Sequence, residues 1–393
     1  MIEPCAPWPR HAVSQEDWVR LASEPGRTLL ALWADTTQAY ALLRDAGGEV
    51  VFASTEVMEG AYPALSPAHP LAAWFERMVH DLWGHLATGG VDLRPWLDHG
   101  RWPRTAPLAL RPGPPGGAAE PPEFQTAGDA TLDQVPLGPV RCGIAAAAHL
   151  RLSVRGETIV RAEARLGYTH KGTLALIRGK SPRAAARFAA RLAGEATVAH
   201  SIAFARATEA ALATEIPPRA AALRDLMLQV ERVAMALDTE ATVAEAEELP
   251  MRATEAARRL EAIRRAADKA FGHRLMMDCV IPGGIAADIA PGGLAGLRSV
   301  ISDVEAQLPS LPDGPISVPL PNESGEGIGH AVGPGGDLWH WLRLDHGQIA
   351  SAFLCDSGWA RWPLLEAALA GGAMDDLPAT VASFDLGSAG VDL

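Results

Sequence analysis

Cysteine is scarce in this chain, with four in 393 residues, at positions 5, 142, 279 and 355. No two form a Cys-x-x-Cys pair, so neither a zinc ribbon nor an iron–sulfur site can be assembled from local spacing, and ordinary reduced thiols are expected. Long apolar runs are missing too: nothing approaches the roughly 20 residues that a membrane-spanning helix needs. The opening MIEPCAPWPRH has neither the basic start nor the apolar core of a secretory signal, so a cytoplasmic chain is expected, free to dock on a membrane protein. Positive charge is in deficit, 34 Lys and Arg against 47 Asp and Glu for a net −13, and the arginines are spread along stretches such as 252–265. Phosphate neutralisation needs clustered cations, which excludes nucleic acid as a partner. GIAADIAPGG (284–293) has glycines without the Gly-x-Gly-x-x-Gly order, and Walker, His-Glu-x-x-His and Gly-x-Ser-x-Gly motifs are absent.

What is present is a hydrophobic fraction of 48% over a length that can bury a large core and two domains. Residues 111–128, RPGPPGGAAEPPEFQTAG, lose all apolar periodicity to Pro, Gly and small residues. This divides the chain into a small α/β domain over 1–110, a linker over 111–130 and a larger domain over 131–393. In the first, TLLALWA (28–34) and EVVFAS (49–54) predict strands and 71–87 a helix. In the second, HLRLSV (149–154) and TIVRAE (158–163) alternate in polarity around Arg155-Gly156, which predicts a β-hairpin at the domain's start. Leu223, Leu226, Met227, Val230, Val233, Ala234 and Leu237 repeat at the helical period, as do Leu260, Ile263, Ala267 and Phe271, and predict buried helix faces. The fold class expected is α+β, with the larger domain mostly helical. Eleven tryptophans serve either a partner interface or the core.

RLGYTHKG (165–172), RLAGEATVAH (191–200), IPPRA (216–220), GHRL (272–275) and VIPGGIA (280–286), in that order, resemble the large subunit of NiFe hydrogenases and its relative in respiratory complex I. The tail 362–393 resembles the end of the same subunits. Earlier, ERMVHDLWGH (76–85), DLRPWL (92–97) and WPRTAPLAL (102–110) resemble the small complex I subunit that precedes the large one, through Glu76, Arg77, Asp81, Gly84, Asp92, Leu93, Arg94, Trp102, Pro107 and Leu108. The fused arrangement is similar to group 4 membrane-bound hydrogenases of the formate hydrogenlyase type.

The resemblance implies four thiolates for nickel, two from each of two motifs. Ala193 and Ala196 stand at the first pair and Gly387 and Gly390 at the second, so every donor atom is gone. It also implies, for complex I, a tyrosine and a loop histidine that donate protons to a quinone. The tyrosine position falls on Gly194, and the loop histidine within 145–148 of the segment CGIAAAAHL, whose tip lacks acid and base alike. The polar candidates left are His149, Tyr168, His170, Arg191, Glu195 and His200. His149 matches a structural histidine. His170 and Lys171 are read as structural or as facing a partner. Arg191 and His200 are expected on one helix, with an i,i+4 ion pair from Arg191 to Glu195. Asp385 and Asp392 either pair with arginines or cap the chain end. Small residues at the four thiolate positions predict partial collapse, with a polar remnant around Arg191 and Glu195.

The first functional reading is therefore a non-metal, hydrogenase-like large subunit of a complex I-related oxidoreductase, coupling or scaffolding electron transfer. The resemblance implies an iron–sulfur partner subunit that carries the cluster, integral membrane subunits, no cofactor on this chain itself, and a peripheral position on the cytoplasmic face of the inner membrane. Any NADH chemistry would belong to other subunits. One alternative is reduction of a quinone or another small acceptor in a remodelled cavity; another is a freestanding binding or assembly protein on a borrowed fold.

Overall fold

Strands Thr28–Ala34 and Gln38–Arg44 are apolar on both faces, which an open sheet tolerates only when both faces are covered. In a computed structural model, which describes all residues except 118–121, 126, 129–130, 141–146 and 302–309, they are covered. The N-terminal sheet runs in the order Ile2–Glu3, Arg10–Val13, Val50–Glu56, Gln38–Arg44, Thr28–Ala34, antiparallel except where Arg10–Val13 lies parallel to Val50–Glu56. Helix Gln15–Ser23 makes that parallel crossover possible. It starts at Ser14, whose hydroxyl accepts from the Asp17 N–H at 3.1 Å, with Glu16 and Asp17 complementing the helix dipole. Helix Ala72–Trp83 packs on the sheet and ends at Gly84, where φ of 76° favours glycine.

The other cover comes from far along the chain. Trp33 stacks on Phe353 at 5.3 Å and Tyr40 meets Trp341 at 4.9 Å, so the N-terminal sheet shares its apolar core with a C-terminal one. That second sheet is an antiparallel meander of Gly325–Gly333, Gly336–Asp345 and Gln348–Cys355. Trp18, Trp33, Trp96, Trp341, Trp359 and Trp362 are all fully buried, which settles the role of these six tryptophans as core.

The predicted hairpin forms from His149–Arg155 and Thr158–Arg165, with Arg155 opposite Thr158, and Asp133–Leu137 adds a third strand. The helices Pro182–Ala189, Thr197–Ala211, Pro218–Ala246 and Pro250–Phe271 follow. Leu223, Leu226, Met227, Val230, Val233 and Leu237 are buried on the third, and Leu260, Ile263 and Ala267 on the fourth, while Ala234 and Phe271 pack at the rim of the same core. The Thr197–Ala211 helix is buried nearly all round, between the long helix Pro218–Ala246 and the strand Gly325–Gly333. Its approach to that strand depends on composition. Ala203, Ala207 and Ala211 form a small-residue stripe, and a Cβ at Gly325, Gly327 or Gly329 would drive into the carbonyls of Ala211, Ala207 and Ala203 respectively. Alternate glycines on one face of the strand thus let helix backbone lie directly on sheet backbone. The fold is α+β, and no described helix is long and apolar enough to cross a membrane.

Candidate functional site

The Pro182–Ala189 helix, capped by the Ser181 side chain, stops at Ala190, and the chain makes a single 3-10 turn, Gly194–Ala196, before the Thr197–Ala211 helix begins. Arg191 and His200 therefore lie on different elements, which corrects the expectation of one helix. The expected Arg191–Glu195 pair does not form either. Arg191 turns outward to a bidentate ion pair with Asp278, at 2.5 and 2.6 Å, about half exposed. The break in the helix is the physical reason, because i,i+4 geometry needs unbroken helical backbone.

Glu195 points inward. A Cβ built on Gly387 would fall within the Glu195 carboxylate, and one on Gly390 within the carboxylate of Asp356. The segment 193–196 and the C-terminal tail thus meet, as the resemblance requires, but two carboxylates occupy the space beside the glycines. Ala193 and Ala196 are buried. What remains is a cavity of about 20 Å³ lined by Glu195, Ala196, Asp356, Arg361, Asp385 and Gly387, room for about one water.

Asp356 follows the last strand of the C-terminal sheet and accepts the Gly358 N–H at 2.6 Å. His200, fully buried on its helix, reaches it with Nε2 at 2.8 Å, and His200 Nδ1 lies 2.9 Å from His340 Nε2 on strand Gly336–Asp345. Burial pushes Asp356 up, but the His200 hydrogen bond and charge, with the Gly358 N–H, outweigh it and hold the carboxyl below its ordinary value. Burial beside His200 drives His340 well below the usual histidine range, so its ring is neutral. His200 Nε2–H donates to the Asp356 carboxylate, and His200 Nδ1 shares one hydrogen bond with Nε2 of the neutral His340. His340 Nδ1 is then a buried atom with no hydrogen-bond partner among the described residues.

Glu231 completes the group from the helix Pro218–Ala246. Ala196, at the start of the Thr197–Ala211 helix, offers no capping side chain, so the first N–H groups of that helix need a partner from elsewhere. Glu231 supplies it, accepting from Val198 at 2.5 Å and Ala199 at 2.9 Å. Burial pushes its carboxyl up to about 8 against the pull of these two N–H groups. Glu195 is also raised, by burial and then by the charge of Asp356.

The tail is tied down by Asp392, which accepts from Gly167 N–H at 2.6 Å, Thr169 N–H at 2.8 Å and Thr169 Oγ1 at 2.6 Å. His170 Nδ1 meets the Asp392 carbonyl at 2.6 Å, Trp102 stacks on the ring at 4.7 Å, and Lys171 Nζ donates to the Leu192 carbonyl at 2.6 Å. His170 and Lys171 thus have structural partners, binding the tail to the 191–196 turn. Neither tail aspartate pairs with an arginine among the described residues: Asp385 accepts from Thr239 Oγ1 at 2.6 Å. His149 packs against Phe124 at 4.8 Å, and Tyr168 is 40% exposed. Ser388 Oγ donates to the Ala147 carbonyl at 3.0 Å, which sets the end of the 141–149 segment beside the tail. The tip of that segment, 141–146, lies outside the described residues.

Of the six candidates, the structure brings Glu195 and His200 into one cluster and places Arg191 on the surface. Sequence reasoning missed Asp356, His340 and Glu231. The only local hint was the acidic residue just after the strand, in LCDSG (354–358), since its histidine partner, His200, stands 156 residues away.

A family model described as nickel-dependent hydrogenase matches residues 171–236. Hydrogenase-4 component G of Escherichia coli (strain K12) is 33% identical over 193 residues, 47% of this chain and 35% of that protein. The fifth subunit of formate hydrogenlyase from the same organism is 29% identical over 283 residues, 68% of this chain and 49% of that protein. An NADH-quinone oxidoreductase subunit of Saccharopolyspora erythraea is 28% identical over 161 residues, 41% and 36% of the two chains. This chain therefore spans half or less of the length of these curated relatives. Among solved structures, a chain of the membrane-bound sulfane sulfur reductase, an archaeal respiratory membrane complex, superposes with a TM-score of 0.60 at 16% identity, covering 69% of this chain and all of that one. That likeness is one of fold. Nickel does not fit the site as built: the four marked positions have no donor atoms, Glu195 and Asp356 fill the space beside two of them, and no metal-ligand group of three exists among the described residues.

Proposed function

From its kinship with the large subunits of nickel-dependent hydrogenases and with subunits of NADH-quinone oxidoreductases, we propose that this chain is the metal-free, hydrogenase-like large subunit of a complex I-related oxidoreductase. It packs against an iron–sulfur subunit that carries the cluster, and both rest on membrane subunits at the cytoplasmic face. It holds no redox cofactor of its own and serves to couple or scaffold electron transfer. One observation carries this reading: carboxylates fill the positions flanking Gly387 and Gly390, while hydrogen bonds lock the tail to 165–173 and Lys171 of that segment to the 191–196 turn. A subunit kept for shape and contacts needs the second and not the nickel.

The test is purification of the tagged chain from native membranes, followed by identification of its partners and a quinone-dependent redox assay. The expected result is a stable complex with iron–sulfur and membrane subunits whose turnover survives Glu195→Gln. Quinone turnover abolished by that change, with the complex intact, would replace this reading by the acceptor-reducing one. A chain recovered alone would favour a freestanding binding or assembly protein.

A further inference from the structure

The carboxylates beside Gly387 and Gly390 do more than fill volume. We propose that the partly buried Glu195 and the buried Asp356 form a proton-holding pair, linked through Asp356 to His200 and His340, in which Glu195 carries the proton at neutral pH.

Buried negative charge settles where donors can hold it. Asp356 has a hydrogen bond from His200 Nε2 at 2.8 Å and another from the Gly358 N–H at 2.6 Å, which fix the charge on that carboxyl. Glu195 shares the same cavity of about 20 Å³, and among the described residues no Lys or Arg forms an ion pair with it. Two carboxylates in one small low-dielectric space do not both ionise, and the proton goes to the one with fewer donors. The surroundings reinforce this. Asp385 from the tail adds a further acidic group lining the same cavity. Two cations stand nearby without an ion pair to either carboxyl among the described residues: Lys171 donates to the Leu192 and Ala389 carbonyls, and Arg361, which lines the same cavity, donates to the Phe384 carbonyl. His340 is neutral and ends the relay at a nitrogen with no partner among the described residues. Burial and the neighbouring Asp356 both raise Glu195, in agreement with this geometry.

The proton taken up comes from water on folding, and no bond other than the Glu195 O–H is made. Infrared spectroscopy of the purified full chain reads this directly, through the carbonyl band of protonated carboxylic acids. The wild type at pH 7 should show that band, and Glu195→Gln should remove one carboxyl's worth of it. An unchanged band in a folded Glu195→Gln protein overturns the proposal. Asp356→Asn gives a second reading, should the first variant fail to fold: with its charged neighbour gone, Glu195 should ionise at lower pH, weakening the band at pH 7. A band unaffected by Asp356→Asn also overturns it. Because neither experiment involves partner subunits or an electron acceptor, a negative result leaves the proposed function standing.

Discussion

Two regions of this molecule bury charge, and they treat it in opposite ways. Where the two sheets meet, the buried carboxylates have guanidinium partners: Arg10 bonds Glu326 at 3.1 Å and also Glu3, and Arg343 reaches Asp35 at 2.7 Å while Tyr40 donates to the same carboxylate at 2.7 Å. Where the resemblance places nickel, Glu195, Glu231 and Asp385 gather with no guanidinium bonded to them among the described residues. Asp35 is pushed up by burial but held below its ordinary value by Tyr40, Arg343 and two backbone N–H groups, whereas Glu231 rises to about 8. Burial alone therefore does not decide the state of a carboxyl; the partner does. The paired region is a clasp between distant parts of the chain, and the unpaired one is a place where protons are held.

Breaking the clasp should have the largest effect. Arg10→Ala strands Glu326 and removes bonds to Gln38 and Ser54, so a loss of about 3–5 kcal/mol in urea unfolding is expected, the range for a buried pair that loses one partner. The two regions should also respond to pH with opposite sign. Asp35, depressed in the fold, adds stability that is present above its unfolded value and lost as pH falls. Glu231, raised in the fold, binds more protons folded than unfolded, so stability falls as pH climbs from the ordinary glutamate range to about 8 and then levels. Unfolding measured from about pH 5 to 9 should show this decline, worth roughly a few kcal/mol, and Glu231→Gln should reduce it, leaving the part that Glu195 and Glu366, also raised by burial, contribute. A wild-type profile that rises over the same interval would remove the distinction between the two regions.

Smaller effects separate rigid from yielding neighbours. Gly329→Ala meets the Ala203 carbonyl, which cannot move, and should lose about 3 kcal/mol, at the upper end for overpacking; Gly387→Ala meets the end of the Glu195 side chain, which can rotate, and should lose only about 1 kcal/mol. Equal losses in thermal unfolding would show that Glu195 is held as firmly as backbone. Least of all, Arg191→Ala breaks only a surface pair with Asp278 and should change stability by less than about 1 kcal/mol, an effect that salt diminishes further.

How much of this was legible in the sequence follows from the range of each interaction. The Arg155-Gly156 hairpin and the buried faces around Leu226 and Ile263 rest on periodicities within a few residues, and they form as expected. The strand Gly325–Gly333 sits in a stretch whose glycines resemble loop composition, yet there glycine makes room for the Ala203–Ala207–Ala211 stripe, a partner over a hundred residues away. The site was half legible. The resemblance implies the positions Ala193, Ala196, Gly387 and Gly390, but not what takes the place of the ligands, because His200, His340 and Asp356 are joined only by the packing of a helix on a sheet. Arg191 lies off the Thr197–Ala211 helix because the chain breaks at the Gly194–Ala196 turn, which residue periodicity does not mark.

The most direct test of the central claim is the nickel content of the chain purified from native membranes together with its partners. None is expected at stoichiometric level, since the four marked positions offer no donor atoms and Glu195 and Asp356 take up the space beside Gly387 and Gly390. One nickel per chain would contradict it.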